Sequence, residues 1–148
     1  MKSLAITGSL REANGKGLAK QLRDQGNVLC VLYGGKEQIH FTAPEASFKK
    51  LVYNHEVHTV DLSIDGKEFQ AIMKDIQFHP VTDKILHIDF LELAKDKPVV
   101  MEIPVKISGN SVGVKQGGKL VTKVRKMKVK ALPAKLPEFS KINIDSLE

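Results

Sequence analysis

The chain has 148 residues, 42% of them hydrophobic, so it is long enough for one ordinary domain or two small ones and too apolar to be disordered throughout. Aromatic residues make up 5% and Trp is absent, which argues against a large aromatic-lined ligand cavity. A formal net charge of +6 favours a polyanionic partner, either nucleic acid or an anionic membrane surface.

Residues 2–8 form a short strand pattern. Residues 14–25 read as a helix stopped by Gly26. Residues 28–33 are an apolar strand that turns at Gly34 and Gly35 and pairs with 38–42 in a hairpin. The single cysteine, Cys30, lies in that apolar run and reads as a buried, inert thiol. Thr42, Ala43, Pro44 and Glu45 fit a capping box with proline in the first turn, opening a helix with Phe48, Leu51 and Val52 on one face. His58, Val60, Leu62 and Ile64 alternate in a strand. Asp65 and Gly66 then signal a tight hairpin into a returning strand, 67–74. Two further strands, 76–79 and 85–91, flank a polar turn around Thr82, Asp83 and Lys84. About six strands and two helices predict a mainly β, α+β unit: a small closed or nearly closed sheet with helices outside.

The charge is unevenly distributed. Residues 1–93 carry 11 basic and 12 acidic groups, net −1, whereas residues 94–148 carry 12 basic and 5 acidic, net +7. The shift falls in the polar, proline-ended stretch 94–98, which reads as a linker, so domains are expected at 1–93 and 94–148. Beyond it, Val99, Met101, Ile103, Val105 and Ile107 alternate as a half-buried strand. Glycines then mark loops, and 120–132 reads as a long strand with Met127, Val129 and Ala131 opposed to Lys126, Lys128 and Lys130. No apolar run is long enough for a membrane helix and the N-terminus lacks a secretory pattern, so a cytoplasmic protein without a membrane partner is expected.

Three constellations carry chemistry. On the first helix Lys16, Lys20 and Arg23 fall within about 60° of one another, opposite Leu18 and Leu22, so one face can bury while the other presents cations at steps of roughly 5–6 Å. Arg11 and the Gly15, Lys16, Gly17 segment precede this stripe, and the glycines let backbone N–H groups approach an anion. A solvated helix face is the plainer alternative. The second constellation is Gln77 and His79 on one strand, His87 and Asp89 on the next. Pairing about Asp83 would set Gln77 opposite Asp89 and His79 opposite His87, four hydrogen-bonding groups suited to ribose hydroxyls and base edges in a wide RNA groove. The same His87 and Asp89, with His79, could be read as a small metal-dependent enzyme site, but a cross-strand triad is unusual geometry, and neither a metal nor another cofactor is expected. Third, residues 103–137 hold nine Lys or Arg and no acid, a cationic ribbon without aromatic stacking groups. Its alternative use is an adaptor surface for acidic protein partners. No nucleophile elbow or phosphate-binding glycine loop supports catalysis or a small-molecule substrate.

These residues together resemble the 5S-rRNA-binding large-subunit ribosomal protein family, in the long two-domain form that includes the general stress protein CTC. The resemblance is carried by Gln77, His79 and Pro80 followed by His87, Asp89 and Phe90, and by Arg11, Gly15, Lys16, Gly17, Leu22, Arg23, Val31, Tyr33 and Gly34. It implies a six-stranded β-barrel with helices that docks on an irregular internal-loop helix of 5S rRNA, followed by a second β-rich domain. It implies RNA contacts at Arg11, Lys16, Lys20, Arg23, Tyr33, Gln77, His79, His87 and Asp89, and a place in the large subunit beside neighbouring rRNA or ribosomal proteins. Phe78 stands where the family often has Arg, and Lys20 where it often has Arg, which keeps the charge but loses the bidentate fork. The chain stops at Glu148, before long members do, which leaves room for a shortened second domain.

Overall fold

The computed structural model of the chain describes residues 2–11, 16–54 and 56–147. Six strands close into a barrel: β1 (Ser3–Leu10), β2 (Asn27–Tyr33), β3 (Ile39–Pro44), β4 (Thr59–Ile64), β5 (Lys67–Phe78) and β6 (Ile85–Glu92). Their spatial order is β1-β3-β2-β6-β5-β4. Pairing is antiparallel except for β1 with β4 and β2 with β6, which run parallel. Closure leaves the barrel no exposed sheet edge.

Alternation fills the interior. Val28, Cys30 and Leu32 point inward from β2, Val60, Leu62 and Ile64 from β4, and Ile88 and Phe90 from β6. The helix α2 (Glu45–Val52) adds Phe48 and Leu51 to this core, and the Phe90 ring lies 5.9 Å from Phe41 and 6.1 Å from Phe48, within the range of favourable aromatic pairs. Leu29 and Val31 point out of the barrel but are buried, because the helix α1 (Lys16–Asp24) lies against β2.

Local readings needed correction at several points. The expected start of the first helix at Asn14 lies outside the described residues. Its expected buried face does not form: no residue of α1 is buried, and Leu18 is 42% exposed. The capping box is also absent. Thr42 belongs to β3, opposite Leu29 and Ser9, and Pro44 occupies the cap position of α2 without a side-chain bond. The proline holds Ala43 extended, where the strand ladder engages it with Val28. The strands expected at 67–74 and 76–79 are one continuous strand through Phe78, broken in register rather than in chain at Lys74.

The remainder forms a three-stranded sheet in the order β8-β7-β9, from β7 (Val99–Ser108), β8 (Lys126–Ala131) and β9 (Ser140–Asn143), with a short helix α3 (Val112–Lys115) between β7 and β8. The strand expected over 120–132 is shorter, because its ladder runs out at Pro104, which pairs with Lys126 but has no N–H to continue it. β9 and α3 were not legible in the pattern. Val99, Met101 and Ile103 pack with Leu136, Val129 and Ala131 onto Ile72, Leu91 and Val57 of the barrel exterior. Ile72 is fully buried there, although the barrel core lies on the opposite side of its strand.

Candidate nucleic-acid interface

The outer surface of β2, β6 and β5 is set by register. One row runs Leu29, His87, Gln77, and the next runs Val31, Asp89, Asp75. Gln77 therefore faces His87, not Asp89, and the residue opposite Asp89 is Asp75. Two irregularities cause the shift. Lys74 is an extra residue on β5 between Met73 and Asp75, and Leu86 is an extra residue on β6 between Ile85 and His87. The second one also exchanges core positions: Ile85 is buried in the barrel core, and Leu86, expected inward, is not part of it.

His79 does not join the strand pair. It ends the strand and organises the turn: its Nδ1 accepts from the backbone N–H groups of Val81 and Thr82, each at 3.2 Å, while its own N–H bonds the Lys84 carbonyl at 2.8 Å. With Nδ1 accepting, the neutral ring carries its proton on Nε2, a donor for whatever binds alongside. Asp83 takes a positive φ of 46–56° character typical of such turns, at 56°.

His87 and Asp89 are bonded to each other, Nε2 to Oδ1 at 2.6 Å, with side chains 25% and 34% exposed. The imidazole is thereby oriented by the carboxylate. Tyr33, at the end of β2, has its phenol pKa raised by desolvation first, then by the negative charges of Asp89 and Asp75. It stays protonated and able to donate. His40, opposite Val31 on β3, has a buried Nδ1 with no hydrogen-bond partner among the described residues. Neither Asp75 nor His40 was singled out from sequence. Asp75 was detectable, since it alternates with Gln77 on one strand, whereas His40 depended on knowing that β3 flanks β2 on the side away from β6.

The helix stripe meets this surface. Arg23 Nε donates to the Leu86 carbonyl at 3.3 Å, tying α1 to the β5–β6 hairpin. Lys20, Arg23, His79, Thr82, Lys84 and Leu86 line one groove of about 300 Å³. Lys16 and Lys20 are exposed. Arg11 follows β1, its N–H bonded to the His40 carbonyl at 3.0 Å, and burial lowers its pKa, with the like charge of Arg23 acting in the same direction. Gly15 lies outside the described residues; Gly17, in the first turn of α1, has nothing within 4 Å of where a Cβ would stand. The structure thus brings Arg23, Lys20 and His79 together, sets Gln77, His87, Asp89 and Tyr33 on the adjoining strands, and leaves Lys16 at the far end of the helix.

The arrangement gives little to catalysis. The Cys30 thiol is fully buried and its pKa is pushed up by desolvation, so it is not poised as a nucleophile. Among the described residues no group of three His, Cys, Asp or Glu is placed to hold a metal ion, and His79, His87 and Asp89 do not converge. No helix among the described residues is long and apolar enough to cross a membrane.

Fold and surface define a class: a mainly β protein of a closed barrel and an appended sheet, with a polar, cation-edged face in place of a catalytic cleft. The chain belongs to the Ribosomal L25p family, whose model matches residues 6–90, and the model described as ribosomal protein TL5, C-terminal domain, matches residues 98–148. It is 49% identical over 150 residues to the large ribosomal subunit protein bL25 of Christiangramia forsetii, covering 100% of this chain and 68% of that protein. It is 48% identical over 147 residues to the bL25 of Bacteroides fragilis (strain YCH46), covering 99% and 75%, and 45% identical over 150 residues to that of Porphyromonas gingivalis (strain W83), covering 100% and 78%.

Proposed function

We propose that this protein is a non-catalytic constituent of the large ribosomal subunit that grips 5S rRNA at an irregular internal-loop helix and works on cytoplasmic ribosomes. Relatives that align over the whole chain carry the large-subunit name. The 5S target rests on the motif resemblance and on the geometry. The observation that carries it is the Arg23 bond to the Leu86 carbonyl, which makes the cationic helix and the polar hairpin one continuous surface. Lys16, Lys20, Arg23 and Arg11 would supply phosphate contacts and most of the affinity. Gln77, His87 and Tyr33 would read hydroxyls and base edges across a groove, with Asp89 holding the imidazole, and His79 would add its Nε2 donor at the groove wall. Residues 1–93 would form the 5S-binding domain and 94–148 a second domain over neighbouring components.

A gel shift with purified 5S rRNA and an otherwise identical RNA lacking the internal loop tests this. Tight binding to the first and at least tenfold weaker binding to the second is the expected result. Equal affinity for both would defeat the internal-loop assignment, and no shift with either would defeat the 5S reading.

A further inference from the structure

The sheet β8-β7-β9 has two faces of opposite character. One is apolar and packs on the barrel. On the other, register aligns Lys126 with Pro104, Lys128 with Glu102 and Lys130 with Val100, and sets Lys106 directly opposite Lys141. All five lysines are exposed. Glu102 is the acid among these paired positions, and among the described residues no ion pair joins it to any of them. The Lys106 ammonium lies 4.3 Å from the centre of the Phe139 ring, its cation held on the same face.

Such an array is costly unless something occupies it. Like charges directly opposite in a ladder repel, and an ordinary solvated face mixes both signs. We propose that this face docks the phosphate backbone of an RNA segment distinct from the one gripped by the barrel, so that the protein bridges two pieces of RNA. The proposal rests on the ribosomal reading above. Three features favour RNA over an acidic protein. Lysines at alternate residues of β8 stand ~6.5–7 Å apart, comparable to phosphate spacing along a strand. Lysine is depleted in protein–protein interfaces and enriched where phosphates bind. The face offers few apolar anchors of the kind that dominate protein hot spots, Val100 and Phe139 being partly exposed at 37% and 38%. Lysines without arginine forks position a backbone without reading sequence.

The test uses the full chain with all four of Lys126→Gln, Lys128→Gln, Lys130→Gln and Lys141→Gln. The unmodified protein, saturated with 5S rRNA, is titrated with a labelled plain RNA duplex at several salt concentrations. The variant is expected to bind the duplex at least tenfold more weakly at low salt, with the log–log salt slope reduced by about 2 to 4, and to keep its 5S affinity. The matching Lys→Arg set should retain the slope; its loss there too would assign the effect to the sheet's fold and overturn the proposal. An unchanged slope in the Gln variant, or an equal fall in 5S affinity, would overturn it as well. So would competition by polyglutamate as effective as that by poly(U) of equal charge. Failure of the unmodified chain to bind 5S rRNA would remove the barrel reading alone, because the duplex titration can be repeated on free protein.

Discussion

Arg23 sits on α1 but its guanidinium reaches the hairpin, so it both presents charge and fixes where that charge stands. Lys20 shares its groove. Replacing both, Lys20→Ala with Arg23→Ala, should weaken 5S rRNA binding and lower the salt slope by about one to two, the number of phosphates released. Filter binding across a salt series measures this, and an unaltered slope would show that neither cation meets a phosphate. The pair His87 and Asp89 acts differently, because a carboxylate on an RNA surface costs affinity unless it orients a donor. His87→Ala combined with Asp89→Ala should therefore reduce the preference for the internal loop over plain duplex. If affinity for both RNAs falls equally in competition assays, the pair contributes contact without selectivity. These residue types and their spacing were visible in the sequence. That Asp75, not Gln77, faces Asp89 was not, since one unpaired residue in a strand leaves no mark in an alternation this short.

At the scale of elements, the sequence signals were strong where hydrophobic periodicity and turn residues agreed, as in the β4–β5 hairpin around Asp65 and Gly66, both at positive φ. They misled where a local motif competed with a ladder. Thr42 looks like a helix cap, but β3 is claimed on both sides, by β1 and β2, and the ladder outweighs one side-chain bond. Thr42→Val should accordingly change stability by no more than about 0.5 kcal/mol, where loss of a true cap costs about 1. Urea denaturation distinguishes the two, and a loss well above 1 kcal/mol would restore the capping role. The hairpin register is likewise an element-scale outcome. Leu86 and Ile85 are equally apolar, and the barrel's curvature, through the irregularity at Leu86, selects Ile85 for the core.

Across the whole molecule, a second apolar cluster joins the appended sheet to the barrel. Ile72 is its barrel-side centre, while its neighbours Ala71 and Met73 belong to the other core. Lys74 reinforces the junction, its ammonium donating to the Val100 carbonyl at 2.9 Å. Ile72→Ala should cost about 2–4 kcal/mol and loosen the sheet from the barrel. Calorimetry reads the first effect, and faster proteolysis in the 94–98 segment reads the second. A variant with the expected loss of stability but unchanged cleavage would mean the cluster holds the barrel only. This junction also places the lysine face of the sheet on the same body as the barrel interface, which a bridging role requires.

The sequence by itself determined the mainly β architecture, the buried thiol, the cationic helix and the polar strand pair, because periodicity, turn chemistry and charge are local properties of a chain. Only the tertiary structure decided which side of β5 Ile72 serves, which residues face each other across β5 and β6, and that Arg23 meets Leu86. Those depend on barrel closure and on the two extra residues at Lys74 and Leu86, and closure sums contacts between residues far apart in the chain, which no local pattern encodes.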